Sequence, residues 1–344
     1  MRVLTTRELN RALLARQLLL ERARVTVPRA LELTGCLQAQ YAPSMYIGLW
    51  SRVEGFGRDD LTQLLEARAV IQGTLMRVTI HLVSLADYWP LALAVREARR
   101  NLWLRAVRHT ATTADFEEAA KVVRERLREG PVRRTELDRL VGRDKAVGVG
   151  LWVDLVRVPP SGTWERRRAD LYGLAEDWLG PPPPDLSVEA ATVHLVRRYL
   201  HGFGPATAAD VADWGGLRTA DVQQVLNGMR LRRFTTDDGL PLYDLPRAPL
   251  PEGATPAPVR FLPTWDASLL VHARRKAILA EEHRSLIFNT KTPHSVPTFL
   301  VDGAVAGTWR YEKGRVHVNP FEPLPPSARR EVDEEAARLA AFHA

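Results

Sequence analysis

Residues 70–84 of the chain are VIQGTLMRVTIHLVS. Two short apolar runs lie here, Val70–Met76 and Val78–Ser84, and apolar and polar positions alternate in the second run. Alternation with a period of two is typical of a half-buried strand, so the stretch predicts a β-hairpin. Three helical patterns precede the hairpin, and a long one from Leu85 to Arg108 follows it. Three helices followed by a hairpin indicate a winged helix-turn-helix module.

The three helices before the hairpin have recognisable starts. Thr5 and Glu8 have the spacing of a capping box, which predicts that the first helix begins after Thr5. A second helix is predicted after Thr26 and should run to about Ala42, because the next residue, Pro43, disfavours helical geometry before it. A third, short helix is predicted over residues 61–69.

The succession of helices and hairpins recurs along the chain. Four consecutive prolines at positions 181–184 form a stiff spacer, and Asp302-Gly303 is a strong hairpin turn signal. We therefore predict a mainly α, α+β fold with β-hairpin wings, made of tandem winged helix-turn-helix modules and a small β-rich C-terminal domain. The predicted domains are residues 1–110, 111–184, 185–248 and 259–344.

Composition excludes several classes of function. The chain has 344 residues and a single cysteine, Cys36, which excludes a disulfide framework and a cysteine-based zinc cluster and suits the reducing cytoplasm. The nine histidines are scattered, and the chain has no glycine-rich phosphate loop and no Gly-x-Ser-x-Gly motif, so we predict no metal and no cofactor. No apolar run approaches the roughly 20 residues of a membrane helix, so no membrane contact is predicted.

The net charge of +7 falls entirely in the first third of the chain. Residues 1–110 hold 16 arginines and nine acidic residues, whereas residues 111–344 hold 32 basic and 32 acidic residues. A basic first third is compatible with a surface that binds a polyanion such as nucleic acid. The alternative is that arginines scattered over helix surfaces leave an excess of positive charge that has no binding role.

An unusual polar pair, Gln38-Ala39-Gln40, interrupts the apolar pattern of the second predicted helix. On a regular helix two residues this far apart point about 200° away from each other, so both could face one site only if the helix loosens near Pro43. The alternative is one buried, hydrogen-bonded glutamine and one surface glutamine.

Two further groups of polar residues are candidates for function. Arg77, Thr79 and His81 share one face of the predicted strand, and this ridge suits contact with phosphate or sugar, unless it is only an exposed hairpin face. Trp265 and Asp266 place an aromatic ring beside a carboxylate. That pair is either catalytic or an anchor at a domain junction, and we favour the anchor.

At these residues the chain resembles the helix-turn-helix DNA glycosylases of the AlkZ type, which are related to the YcaQ type. The resemblance covers nearly the whole chain. Its segments are Leu37-Gln38-Ala39-Gln40, Gly48-Leu49-Trp50-Ser51-Arg52, Met76–Val83, Phe203-Gly204-Pro205-Ala206-Thr207 with Trp214, Leu262-Pro263-Thr264-Trp265-Asp266, and Val301-Asp302-Gly303 with Gly307-Thr308-Trp309-Arg310. One departure is Val78, because the family usually has glycine before the threonine.

The resemblance implies tandem winged helices in a C-shaped arrangement with a C-terminal β-barrel-like domain. It implies removal of alkylated purines from double-stranded DNA, including bases in interstrand crosslinks, in repair or in self-resistance to a genotoxin. Gln38 and Gln40 match the Gln-x-Gln catalytic signature of the AlkZ branch. We assign DNA contact to Arg77, Thr79, His81, Arg52 and Trp50 and a supporting role to Trp265 and Asp266, and we expect a cytoplasmic monomer that works on the nucleoid.

The chemistry available to two glutamines limits the substrate. A neutral amide is neither a general base nor a nucleophile, but it can orient water and face a developing positive charge. Purines alkylated at N7 or N3 are already cationic and leave without an acid, through an oxocarbenium-like sugar. Residues 1–120 contain no lysine, and lyase chemistry needs an amine nucleophile. We therefore predict a monofunctional glycosylase, unless Lys121, a later lysine or the N-terminal amine reaches the site.

Two other classes of function share part of this evidence. A non-catalytic winged-helix regulator would have the same modules and the same charge, but it would read a specific operator with a helix in the major groove and would not need the glutamine pair. A repeat-built scaffold for protein interactions is a weaker alternative, in which the charge is incidental.

Overall fold

The computed structural model describes residues 2–288 and 295–344. Helices dominate, and the described residues form three small sheets of three, four and six strands. The predicted mainly α, α+β fold with hairpin wings is confirmed. No helix of the described ranges has both the length and the apolar character needed to cross a membrane.

The first module follows the predicted order, with three additional elements, β1 (Arg2–Val3), β2 (Leu37–Gln38) and α3 (Ala42–Trp50). Thr5 caps the first helix and forms the predicted capping box with Glu8. The hairpin and the long helix after it are also confirmed. The elements are β1 Arg2–Val3, α1 Thr6–Arg16, α2 Val27–Thr34, β2 Leu37–Gln38, α3 Ala42–Trp50, α4 Arg58–Glu66, β3 Val70–Thr74, β4 Ile80–Ser84 and α5 Leu85–Ala106.

The predicted second helix is wrong in its second half. Helix α2 ends at Gly35, whose φ of 79° is the left-handed geometry that glycine adopts easily at a helix end. The chain then becomes extended and pairs as β2 with β4. Pro43 lies in the first turn of a new helix, α3, where its missing N–H costs nothing. The proline that we took as a terminator is therefore part of a helix start.

Helices and paired strands also follow one another between residues 111 and 248. Residues 111–184 contain α6 Thr113–Leu127, β5 Val132–Arg133, α7 Arg134–Val141, α8 Arg143–Gly148, α9 Gly150–Val153, β6 Leu155–Arg157, β7 Leu171–Leu174 and α10 Ala175–Leu179. Residues 185–248 contain α11 Val188–Phe203, α12 Ala208–Gly215, α13 Thr219–Gly228, β8 Arg232–Thr235 and β9 Pro241–Asp244.

Two sheets cross the predicted domain boundaries. The six-stranded sheet has the order β2-β4-β3-β6-β7-β5, and Gly73 of β3 pairs with Val156 of β6. A Cβ atom at Gly73 would lie 2.7 Å from the Tyr88 ring, so the close approach of β3 to this ring requires glycine. In the other sheet β1 pairs in parallel with β8. The first wing is thus continuous with the second, and the N-terminus completes the third; the boundaries themselves stay a prediction.

The C-terminal region contains an antiparallel sheet and a terminal helix. The predicted turn at Asp302-Gly303 joins two strands of this sheet, whose order is β10-β11-β12-β13. The helix packs on the first module, where the Phe342 ring lies 5.9 Å from that of Trp50. The elements are β10 Arg260–Leu262, α14 Arg284–Ile287, β11 Thr298–Val301, β12 Ala304–Glu312, β13 Arg315–Pro320 and α15 Pro326–His343, with short 3-10 turns between residues 267 and 283.

Candidate functional site

Neither glutamine of the pair lies on a helix. Gln38 ends β2, directly opposite His81 of β4, and the backbone N–H of Ala39 continues the ladder by donating to the Ile80 carbonyl over 2.8 Å. Gln40 lies in the bend between β2 and α3. The separation of about 200° that a regular helix would impose therefore does not apply to the pair.

Both side-chain amides place a polar atom out of contact with solvent. Gln38 is 8% exposed and Gln40 is half-buried. Neither Oε1 atom has a hydrogen-bond partner among the described residues. A buried carbonyl without a donor costs about 1–3 kcal/mol, and such groups are rare in folded proteins. The alternative of a satisfied core glutamine is therefore wrong for Gln38.

His81 lies beside this pair as a neutral group. It is 2% exposed, and its Nδ1–H donates to the Thr79 carbonyl over 3.0 Å, so the proton is on Nδ1. Burial, followed by the nearby Arg77 charge, lowers the pKa of His81 to about 3. The imidazole thus carries no ionisable proton to give at neutral pH. Its position opposite Gln38 makes it a neighbour of the candidate site.

The predicted ridge of Arg77, Thr79 and His81 does not exist. Arg77 and Val78 form the turn of the hairpin with φ values of 52° and 60°, and β4 begins only at Ile80. The Thr79 hydroxyl donates to the Met76 carbonyl over 3.0 Å, which closes the turn. Two consecutive positive φ values match the twist of a tight hairpin, and this turn geometry overrides the period of two.

Arg77 connects two modules. Its guanidinium donates to the Trp214 carbonyl at the end of α12, and burial lowers its pKa. Val78 packs against the core of the second module. The hairpin tip is therefore enclosed by the second and third modules and is not an exposed face.

Arg52 is wrongly assigned to DNA contact. The side chain is fully buried: it donates to the Gly48 carbonyl over 3.0 Å and to Oδ1 of Asp266 over 3.0 Å. Trp50 is half-buried between the Arg22 guanidinium, 4.6 Å from its ring centre, and Phe342. Both residues hold α3, the helix that begins two residues after Gln40, against the C-terminal region.

The structure agrees with the anchor interpretation of residues 262–266. Asp266 is 5% exposed, caps the turn Ala267–Leu269 by accepting from the Ser268 N–H over 3.0 Å, and holds Arg52. The Trp265 backbone N–H donates to Ser295 Oγ over 2.7 Å. Through the contact between Asp266 and Arg52, this segment holds α3 in place and thereby the chain that carries the glutamines.

Part of the positive charge of the first third is used in ion pairs between modules. In the described ranges, seven of its 16 arginines pair with carboxylates that lie beyond residue 150. They are Arg7 and Arg11 with Asp302, Arg16 with Asp244, Arg22 with Glu335, Arg52 with Asp266, and Arg96 and Arg99 with Asp154. Six of the other nine arginines are exposed, so a surface for a polyanion stays a prediction.

An exposed basic loop was missed by the sequence reasoning. Arg166, Arg167 and Arg168 lie between β6 and β7 and are all exposed, and Nη1 of Arg167 lies 3.3 Å from the hydroxyl of Tyr41. Tyr41 is 43% exposed and directly follows Gln40. The three consecutive arginines were visible in the sequence. The sum of charges over residues 111–344 is zero, however, and it hides this local excess of positive charge.

Groups that could supply metal or amine chemistry give no competing site. Within residues 2–288 and 295–344, no cluster of three or more histidine, cysteine, aspartate or glutamate side chains could hold a metal ion. Lys121 lies on α6, exposed and paired with Glu118 over 3.1 Å. Lys291, which is one of the later lysines, and the N-terminal amine lie outside the described residues.

Comparison with known proteins gives one family and a similar fold. A family model described as DNA glycosylase AlkZ-like matches residues 31–342. The structure of the Streptomyces sahachiroi DNA glycosylase AlkZ matches with a TM-score of 0.83 and 21% identity, over 100% of this chain and 97% of that chain. At this identity the match shows a shared fold. Curated protein sequences include no match.

Proposed function

The chain belongs to the AlkZ-like DNA glycosylase family, and from this premise we propose that it hydrolyses the N-glycosidic bond of cationic alkylated purines in double-stranded DNA. The observation that supports this choice is the pair Gln38 and Gln40, whose amide oxygens are both buried and have no hydrogen-bond partner among the described residues. The proposed substrates are N7-alkylguanine and N3-alkyladenine.

The two amides fit the transition state of this reaction. As the bond between C1′ and the purine breaks, its electron pair goes to the base and positive charge develops on the sugar. Carbonyl oxygens placed nearby stabilise that charge and accept a hydrogen bond from the attacking water. Water then adds its oxygen to C1′ and releases a proton to solvent, which leaves an abasic site and a neutral alkylated base.

The environment of His81 supports the restriction to cationic bases. A neutral purine needs a proton donor to leave, and a histidine with a pKa of about 3 carries no donatable charge at neutral pH. An alkylated purine brings its own positive charge. Catalysis at this site is therefore positioning and electrostatics, without proton transfer to the leaving group.

We further propose a monofunctional enzyme that acts as a monomer on the nucleoid in the cytoplasm. With no lysine before Lys121 and Lys121 itself paired with Glu118, no amine in the described part of the first module is available to form a Schiff base. The same bond breakage would release one arm of an interstrand crosslink, where the base cannot rotate freely out of the duplex.

The test is base release from a duplex with one N7-methylguanine, read as strand breaks after alkali. We expect breaks with the wild type, and a loss of roughly 100-fold or more in single-turnover rate for Gln38→Ala and for Gln40→Ala. Gln63→Ala is the control, since it makes the same substitution at an exposed glutamine on α4.

Two results would contradict the proposal. If the wild type leaves the duplex intact, the enzymatic claim is wrong, and tight binding to one undamaged sequence would favour a regulator. If Gln38→Ala and Gln40→Ala retain the wild-type rate, the reaction depends on other residues. A duplex with a crosslink between two N7 positions, separated on a denaturing gel, tests unhooking in the same way.

A further inference from the structure

The exposed loop of the second wing has the features of a phosphate site. We name Arg166, Arg167 and Arg168 the arginine loop. Three adjacent guanidiniums face solvent, and Arg133 lies on the neighbouring strand. Nearby acids compensate only part of this charge, since Asp170 lies 3.4 Å from Arg133 and 3.2 Å from Arg168.

The backbone of the arginine loop is fixed even though its side chains are exposed. The Gly162 N–H donates to the Arg166 carbonyl over 2.8 Å, and the Ser161 hydroxyl donates to the Arg168 carbonyl over 2.8 Å. Ser161 Oγ also accepts from the Asp170 N–H over 2.8 Å. A fixed backbone lowers the entropy that is lost when the loop binds a ligand.

The loop is also docked on the segment that carries the glutamines. Trp164, 5% exposed, packs edge-on against Tyr46 of α3 with ring centres 5.6 Å apart. Nη1 of Arg167 donates to the Tyr41 hydroxyl over 3.3 Å. Tyr41 directly follows Gln40, so a group bound by the loop has a defined position relative to the chain that carries the glutamines.

We propose that the arginine loop binds backbone phosphates of the DNA beside the lesion nucleotide and positions it against Gln38 and Gln40. This rests on the proposed function, which supplies the DNA ligand. Guanidiniums suit phosphate because their donors match its oxygens two at a time. Phosphate contacts fix the register of the duplex without reading its sequence, which suits an enzyme that must act in any sequence.

The main test is the salt dependence of DNA binding by the double variant Arg166→Gln with Arg168→Gln. Each lost phosphate contact lowers the slope of log affinity against log salt by about 0.9, so we expect a slope smaller by about 2. Affinity for undamaged and methylated duplexes should both fall, roughly tenfold or more at low salt. The single-turnover rate at saturating DNA should also fall several-fold, because the phosphates no longer hold the lesion nucleotide against the glutamines.

The matched control is Arg329→Gln with Arg330→Gln, two adjacent exposed arginines on α15 that remove the same charge. We expect the wild-type slope from it. An unchanged slope in the loop variant, or an equal change in the control variant, would overturn the proposal. Because binding is measured on undamaged DNA, this result is independent of base release and separates failure of the loop from failure of the enzymatic function.

A second variant tests positioning. Tyr41→Phe removes the acceptor of Arg167 and keeps all the charge, so we expect the wild-type salt slope and a several-fold slower single-turnover rate. A wild-type rate in Tyr41→Phe would remove the coupling between the loop and the glutamine strand from the proposal.

Discussion

Two adjacent segments of the first module differ in how far their buried polar groups are paired. Arg52, two residues beyond the end of α3, is fully buried and donates from its two Nη atoms to the Gly48 carbonyl and to Asp266, while its Nε has no partner among the described residues. On the strand and bend just before α3, Gln38 and Gln40 have buried carbonyl oxygens with no partner among the described residues. The first arrangement stabilises the native state, whereas the second destabilises it and is kept only if another molecule satisfies it. Substitutions in the first segment should therefore change mainly the free energy of unfolding, and substitutions in the second should change mainly the rate of base release.

The largest expected effect is on stability and comes from Asp266→Ala. Removing the carboxylate leaves the Arg52 charge buried and unpaired, so we expect a loss of about 3–5 kcal/mol in the free energy of unfolding. Denaturant unfolding measures it. The double variant Arg52→Met with Asp266→Leu should recover much of the loss, because it buries no charge. A single variant as stable as the wild type would show that the pair is not an anchor.

A smaller change of opposite sign is expected from Gln38→Leu. Replacing an unpaired buried carbonyl by an apolar side chain of similar size removes a desolvation penalty, so stability should rise by about 1–2 kcal/mol while base release is lost. Denaturant unfolding and the alkali assay on the same preparation give both values. A clear loss of stability would mean that the amide has a structural role, and the contrast with Arg52 would then disappear.

The smallest expected effect comes from Val78→Gly. A β-branched residue at φ 60° is strained, and glycine relieves about 1–2 kcal/mol of strain at such a position. Glycine also loses more entropy on folding and gives up the packing of Val78 on the second module, so we expect a net gain below about 1 kcal/mol. Val78→Ala is the control, since it loses packing and stays strained. If Val78→Gly is less stable than Val78→Ala, the strain argument is contradicted.

Local signals predicted much of the fold. The capping box at Thr5, the Asp302-Gly303 turn and the alternation after Val78 are decided by neighbours within a few residues, and all three are confirmed. The segment from Gly35 to Pro43 failed because a short apolar run fits both a helix and a strand. Gly35 is a signal for the end of a helix and Pro43 is a signal for the start of another. Both residues can also be interpreted as features of one longer helix, so the sequence did not decide between the two structures.

The candidate site was predictable only in part. The glutamine pair stood out because polar residues interrupted an apolar pattern, and its catalytic role stays a prediction. Arg52 was misjudged because the exposure of an arginine depends on which distant carboxylate it meets. The arginine loop was missed because a charge balance over a long segment does not show which residues are exposed. The three adjacent arginines are exposed only because of the tertiary structure around them.

The long-range ion pairs of the first third have a consequence for synthesis on the ribosome. Arg16, Arg52 and Arg22 are matched by Asp244, Asp266 and Glu335, so their charges stay unmatched until more than two thirds of the chain has emerged. Contacts this distant in sequence slow folding. The first module should therefore complete its interior late, with the C-terminal region as a partner, and it should not be transferable to another protein as an independent catalytic unit.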